Sequence, residues 1–279
     1  MARGGDVSVW QVTSEEELRE AILETPLVAL VGSRSRLAWV ASRNGQQIST
    51  EGLTGILDFR PDDLVVTVRA GTQVTDLEQM IAESGLCLGL SRVARGWTGS
   101  RVGTIGGLIA LNLPHAAQNR TGAVKDWCLG MRVMRGNGDV VTFGSQVVKS
   151  VAGFDLHRTM AGSRGGLGAI LSVSLRLYPR RLVETDELEV LGQEDPAWVS
   201  RVPVSQVDEV LNNLVHPVAC LRSSGLIWSR EAPTDLYGGW SIGPGGRTAP
   251  HDDHMVEKLR RSLRATLDPL GRFSEGFRS

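Results

Sequence analysis

Five glycines stand in one short stretch, KSVAGFDLHRTMAGSRGGLGAI (149–170), among few side chains of obvious reactivity. Glycine at that density belongs where a backbone turns sharply or passes very close to another group, because it has no Cβ to forbid either. A chain built around such a stretch has to bring its backbone up against something. The same character recurs elsewhere. The chain has 33 glycines in 279 residues, well above the usual ~7%. They follow no period and gather in loops between apolar runs, which excludes collagen-like and solenoid architectures.

With 41% hydrophobic residues the chain can bury one large domain, or a domain and a small companion. A net charge of -1 argues against a nucleic-acid surface. Cys87, Cys128 and Cys220 lie far apart and form no Cys-x-x-Cys, which fits a reduced cytosolic chain and offers no iron–sulfur or zinc framework. The start, MARGGDVSVW, lacks the apolar core of a signal peptide. The longest apolar run, GTIGGLIALNL, falls short of the roughly 20 residues of a membrane span. The expectation is a cytoplasmic protein, with any membrane association coming through a partner.

Local patterns place the loops between elements. TSEEELREAILETP reads as a helix with a capping box at Ser14 and Glu17, a stripe of Leu18, Ala21 and Ile22, and a stop at Pro26. Buried strands are expected at 27–31 and within 62–71. A second helix over 75–85 is expected to carry a box at Thr75 and Glu78 and to stop at Gly85. Asn137-Gly138 between apolar runs marks a hairpin. A short helix near 155–161 then leads into an alternating strand ended by Pro179. From about 183 the pattern becomes short strands and a helix, and a basic amphipathic helix over 254–271 closes the chain.

Successive backbone N–H groups can hold a phosphate where side chains stay out of the way. GSRS after the first buried strand and VGTIGG (102–107) are such places. Neither fits the Walker pattern nor Gly-x-Gly-x-x-Gly opening a helix. Several such loops in one domain favour an extended phosphate-bearing ligand. Arg34, Arg36, Arg92, Arg95, Arg101, Arg120 and Arg164 lie in the loops; any one alone reads as a solvated residue, although a guanidinium fork matches phosphate oxygens. HDDHM (251–255) has metal-like spacing but reads as a solvated helix start, and no metal is expected. No hydrolase triad motif is present.

Taken together these loops resemble the FAD-binding domain of the vanillyl-alcohol-oxidase / para-cresol-methylhydroxylase (PCMH) superfamily. The resemblance rests on DLVVTVRAGTQVTDLEQMIAESG, VGTIGGLIALN, RTGAVKDWCLGMRV, the opening stretch with its continuation to SLRL, and LRATLDPLGRF, in that order. Within the superfamily VVKSVAGFDLHRTMAGS is similar to the E-subunit family of bacterial glycolate oxidase (glycolate dehydrogenase). The fold so implied is α+β: a PCMH-type FAD-binding domain of two α+β subdomains over 1–182, a reduced α+β cap over 183–253, and a C-terminal helix with the closing motif over 254–279 that returns to the FAD domain.

The resemblance also implies roles. Gly32, Ser33, Arg34 and Ser35 fall at the pyrophosphate loop. Thr104, Gly106 and Gly107 fall where backbone N–H groups meet pyrophosphate and flavin, and Asn112 belongs to the same motif. Gly122 and Ala123 fall where the chain passes the cofactor, and Gly168 and Ile170 where a backbone edge meets it. The chain departs from the family in three places. Its pyrophosphate loop reads Val31-Gly32-Ser33-Arg34-Ser35-Arg36, with Val40 at the closing glycine. It has no loop histidine for covalent flavin attachment, so FAD is expected to be non-covalent. Its cap is small and lacks His-x-Gly-Asp-Gly-Asn. The implied function is that of a flavin-domain subunit of a complex that oxidises a 2-hydroxy acid to a 2-oxo acid, alongside a catalytic flavin subunit and an iron–sulfur subunit. No catalytic base is evident, and the chain alone is expected to be structural or electron-relaying. Two alternatives stay open: a scaffold subunit that has lost FAD, and a standalone FAD-dependent oxidoreductase of unknown substrate.

Overall fold

The computed structural model describes residues 9–35, 44–90, 103–115, 117–144, 156–183, 189–192, 198–237, 240–243, 246–248 and 254–274. Much of the 149–170 stretch before residue 156 therefore lies outside the described residues, as do Arg36, Val40, Arg92, Arg95, Arg101 and the HDD of HDDHM.

The chain begins with β1 (Trp10–Gln11), α1 (Glu15–Glu24), β2 (Val28–Val31) and β3 (Gln46–Ser49). The Ser14 hydroxyl accepts from the Glu17 N–H (3.1 Å), and the Glu17 carboxylate returns to the N–H of Thr13 (2.7 Å), so the helix start is capped from both sides. The three strands form a parallel sheet in the order β1-β3-β2. Leu18, Ala21 and Ile22 of α1 are buried as the stripe requires, and they share a core with Val28, Ile48 and Leu53.

A second sheet follows from β4 (Ile56–Arg60), β5 (Val65–Arg69), α2 (Val74–Ala82), β6 (Leu86–Cys87), α3 (Ile105–Leu111), α4 (Gln118–Thr121), α5 (Val124–Trp127), β7 (Cys128–Met134), β8 (Val140–Gly144), α6 (Leu156–Met160), β9 (Ala169–Arg176) and β10 (Tyr178–Pro179). Five strands pair antiparallel in the order β4-β5-β9-β7-β8, and β6 pairs with β10. The expected hairpin is β7–β8, with Gly138 at φ 82° in its turn. β9 lies at the centre and is buried on both faces along most of its length. Its Ser174 is therefore paired inside, with Thr67 at 2.8 Å. Val74, Leu77 and Ile81 of α2 and Ile105 and Ile109 of α3 pack on this sheet.

One local expectation is corrected. α2 begins at Val74, with Gln73 at its cap and no side-chain bond there. The Thr75 hydroxyl instead meets the Asp76 carboxylate (3.2 Å), and Glu78 is buried, accepting from the Leu88 N–H (2.8 Å). Burying Val74 and Leu77 sets the helix phase and turns Glu78 inward, away from a capping position.

The remainder comprises β11 (Glu189–Val190), β12 (Trp198–Arg201), α7 (Val207–Asn213), β13 (Pro217–Leu221), β14 (Leu226–Ser229), β15 (Trp240–Gly243), β16 (Gly246–Thr248) and α8 (His254–Leu267). Six strands form an antiparallel sheet in the order β11-β13-β14-β12-β15-β16. Leu111 and Leu113, at and just beyond the end of α3, pack against its Val199, Val218, Leu226 and Trp228. After α8 the chain returns to the first sheet, where Phe273 is wholly buried. α8 ends at Leu267, earlier than the pattern suggested, because Asp268-Pro269 stops it.

Candidate functional site

Three loops meet where the parallel sheet, α3 and the start of β9 converge, and they enclose a cleft. Its non-atom space, counted out to the open mouth, is about 790 Å³. One wall is the turn after β2, with Gly32, Ser33, Arg34 and Ser35. The second is Thr104 and the first turns of α3, with Gly106 and Gly107. The third is the chain from α6 into β9, with Ser163, Arg164, Gly165, Gly168 and Ile170.

The glycines are there for close approach. A Cβ on Gly32 would overlap the Thr104 hydroxyl, and one on Gly106 would lie 2.9 Å from the Ala70 Cβ. Gly168 holds φ 151°, and a Cβ there would lie 2.7 Å from Val133 Cγ1. Thr104 caps α3, its hydroxyl accepting from the Gly107 N–H (3.2 Å). The N–H of Gly106 donates to the Ala70 carbonyl (2.8 Å). The sequence expectation had these N–H groups facing the ligand. In the structure both are engaged within the fold, and what α3 offers the cleft is bare backbone.

Three expected residues are not among those lining this cleft. Asn112 ends α3 in the left-handed region (φ 46°), and its Oδ1 accepts from the Lys125 N–H (3.0 Å). The Gly122 carbonyl accepts from His115 Nε2 (2.9 Å), and the Ala123 N–H donates to Asp126 Oδ2 (3.0 Å). Together they brace the start of α5. A glycine at positive φ (74° at Gly122) serves a local turn as readily as a ligand, and the motif alone did not separate the two.

Chemically the cleft is positive and without bases. Among the described residues that line it, Arg34 and Arg164 are the only ionisable ones. Ser33 and Ser163 are buried, and neither hydroxyl has a hydrogen-bond partner among the described residues. Leu30, Ala70, Ala110, Leu111 and Ile170 supply apolar surface. Sequence reasoning passed over Ser163 and read Arg164 as solvated; the signal was the triplet Gly-Ser-Arg, present in both loops. Walls drawn together by glycines, apolar surface, orphaned hydroxyls and two cations fit a ligand with flat apolar rings joined through phosphates, which is the composition of FAD. No group of three or more His, Cys, Asp or Glu side chains among the described residues is placed to hold a metal. No helix among them is long and apolar enough to cross a membrane.

Comparison with known proteins agrees with this chemistry. Residues 8–144 match the family described as "FAD binding domain". Glycolate oxidase subunit GlcE of Escherichia coli (strain K12) is 34% identical over 166 residues, covering 59% of this chain and 46% of the relative. D-2-hydroxyglutarate dehydrogenase of Xanthomonas citri pv. viticola is 32% identical over 162 residues, covering 57% of this chain and 33% of the relative. The chain thus spans less than half the length of these relatives. Among solved structures, alkyldihydroxyacetonephosphate synthase superposes with a TM-score of 0.50 at 17% identity, covering 75% of this chain and 40% of that one. That is a likeness of fold. Residues 8–144 thus match a PCMH-type FAD binding domain, and the cofactor of that domain is FAD.

Proposed function

We propose that the chain is a flavin-domain subunit of a glycolate-oxidase-type complex, which oxidises a 2-hydroxy acid to a 2-oxo acid. The observation that carries the reading is the cleft itself: positive, glycine-walled, and lined among the described residues by no group able to take a proton at neutral pH. Bound FAD supplies the hydride-accepting and electron-passing chemistry.

The chain's own residues hold and orient it. Arg34 and Arg164 balance phosphate charge, with Gly32, Ser33, Ser35 and Thr104 around them, and the bare backbone at Gly106, Gly107 and Gly168 lets a planar ligand lie close. Ile170, Leu111 and Ala110 exclude water from its apolar side. Asn112, Gly122 and Ala123 act one step back, by fixing the segment that follows α3. With no histidine or cysteine lining the cleft among the described residues, FAD is held without a covalent bond. The six-stranded sheet acts as a reduced cap, resting on Leu111 and Leu113. A base for substrate must then come from a partner, a catalytic flavin subunit, and an iron–sulfur subunit must take the electrons, because Cys87, Cys128 and Cys220 are buried single thiols. We place the complex in the cytoplasm.

The scaffold reading has one observation on its side, the internal engagement of the Gly106 and Gly107 N–H groups. One experiment separates the readings. The purified chain, reconstituted with FAD, is assayed with glycolate and an artificial acceptor. The expected result is a yellow protein that releases FAD on denaturation and has no turnover until partner subunits are added. Turnover by the chain alone overturns the subunit role, and a colourless chain that still joins its partners selects the scaffold.

A further inference from the structure

Leu259, Leu263 and Leu267 follow one another at intervals of four along α8, so they run down one side of it. The body covers that stripe only at its end. Leu267 is buried in the main core at 5% exposure, Leu263 is half-buried, and Leu259 is 59% exposed. No leucine among the described residues is more exposed than Leu259. Single exposed leucines are common on protein surfaces. This one differs in belonging to a stripe that the fold has already begun to bury. The bonds that anchor α8 lie at the covered end. The Arg135 side chain donates to the Thr266 carbonyl (2.6 Å), the Gly136 N–H to the Leu267 carbonyl (3.3 Å), and the Arg264 side chain to the Phe273 carbonyl (2.6 Å). Leu259 stands about 12 Å before Leu267 along the helix axis.

The remaining exposed side of α8 is cationic. Between 258 and 267 the charged residues are Lys258, Arg260, Arg261 and Arg264, with no carboxylate among them; Asp252, Asp253 and Glu257 stand earlier. Arg264 is turned back to the closing turn, 3.9 Å from Asp268. Lys258 and Arg261 are exposed and, three residues apart, share the outer side of the helix. Ser262, short and exposed, lies between Lys258 and Leu259 around the helix. A bilayer is a plane and takes a helix whose whole apolar stripe faces outward. Here Leu267, on the same stripe, points into the core. A symmetric contact with a second copy would set this cationic side against itself. An acidic protein surface meets neither obstacle.

We propose that the exposed turns of α8, residues 258–266, dock into an apolar groove rimmed by carboxylates on a partner subunit. Leu259 fills the groove, and Lys258 and Arg261 meet the rim. This is the helix-in-groove mode of recognition, in which anchors spaced along one side of a helix supply affinity and the charges beside them select the partner. The inference rests on the subunit reading of the chain, and it names the surface through which the chain joins its complex. That surface lies outside the residues that line the FAD cleft, so docking and flavin binding can be measured apart.

The test assembles the full 279-residue chain with the catalytic flavin subunit and the iron–sulfur subunit, and measures the dissociation constant by sedimentation. The variants are L259E, the double variant K258E/R261E, and V204E as a control that is equally exposed but lies outside α8. L259E is expected to weaken assembly by about tenfold or more. The double variant is expected to weaken it about tenfold at low salt and to respond less to added sodium chloride. All three should keep the parent's flavin content and thermal midpoint, since the altered side chains are exposed. V204E should assemble like the parent. L259E and K258E/R261E chains that assemble within twofold of the parent overturn the docking surface and leave the subunit reading standing. Equal weakening by V204E, or loss of flavin or midpoint in L259E, also overturns it. So does a parent chain that uses Leu259 to form a dimer by itself, or to bind vesicles of phosphatidylcholine and phosphatidylglycerol, while L259E still assembles. A parent chain that joins neither subunit overturns the subunit reading and the docking surface together.

Discussion

Val28 and Phe273 lie side by side as a parallel bridge, although they stand near opposite ends of the chain. The Val28 N–H donates to the Arg272 carbonyl (2.6 Å), and the Ser274 N–H donates back to the Val28 carbonyl (2.8 Å). The Asp268 carboxylate shapes the turn by accepting from the N–H groups of Arg272 (2.7 Å) and Phe273 (2.9 Å). The closing motif therefore adds a short fourth rung to the parallel sheet whose far turn walls the cleft. Phe273→Ala empties a fully buried site and is expected to cost about 3–5 kcal/mol. Asp268→Asn leaves one of the two N–H groups facing a donor, at about 1.5–3 kcal/mol. Urea unfolding with unchanged slope measures both, and a Phe273→Ala chain as stable as the parent would show that the bridge is incidental.

Gly32 and Thr104 make the floor of the cleft by standing too close for any Cβ on Gly32. In Gly32→Ala the Thr104 hydroxyl has to swing away and drop the Gly107 N–H. The expected cost is about 1–3 kcal/mol of overpacking, together with weaker flavin uptake. Gly85→Ala is the control, at φ 70° but with nothing within 4 Å of a new Cβ: it loses stability without losing flavin. Equal flavin affinity in the Gly32→Ala chain would remove Gly32 from the site.

What the sequence revealed depended on how local the signal was. The Ser14 cap, the Asn137-Gly138 hairpin and the stripe of α1 depend on neighbours a few residues away, and they appear as read. The Thr75 box did not, because burial of Val74 decided the phase of α2 from outside it. The strand order of the six-stranded sheet was not legible, since β12 pairs with both β14 and β15 across long loops. In the site, the glycine loops drew the eye because glycine has a conformational signature. Ser163 has none: a hydroxyl in a loop becomes conspicuous only when its surroundings leave it unpaired.

The six-stranded sheet is coupled to the cleft through α3. Leu111 lines the cleft, and together with Leu113 it packs against Val199, Val218, Leu226 and Trp228. Leu113→Ala is expected to cost about 1–2 kcal/mol, less than a fully buried leucine because the side chain is only half-buried. The loss should be local. Amide exchange over 198–229 should quicken while the amides of β5 and β9 keep their protection. Uniform loss of protection would instead mean that the six-stranded sheet and the cleft open as one unit.

His115 gives the fold an acid-sensitive joint. It is buried beneath the Trp127 ring, edge-on at 4.9 Å, and its Nε2–H donates to the Gly122 carbonyl (2.9 Å). Burial pushes its pKa down from an ordinary 6.5 to about 4, only partly opposed by the Gly122 carbonyl. The folded state therefore holds the neutral ring where the unfolded chain would take up a proton. The resulting stability is complete above pH 6.5 and drains as pH falls toward 4, by an amount on the order of 3 kcal/mol. Other groups titrate over the same range, so the difference between parent and variant is the quantity to measure. His115→Gln keeps a donor for Gly122 and cannot titrate. Above pH 6.5 the two stabilities should run parallel, and below it the parent should lose ground to the variant steadily. Parallel curves down to pH 4 would mean that the buried ring is charged or that the pocket opens to water. With His115 charged, the brace at Gly122 and Asp126 that fixes the segment after α3 should loosen first, and flavin should be released at a higher pH than the one that unfolds the chain. Flavin fluorescence and near-UV circular dichroism, followed through one acid titration, separate the two events.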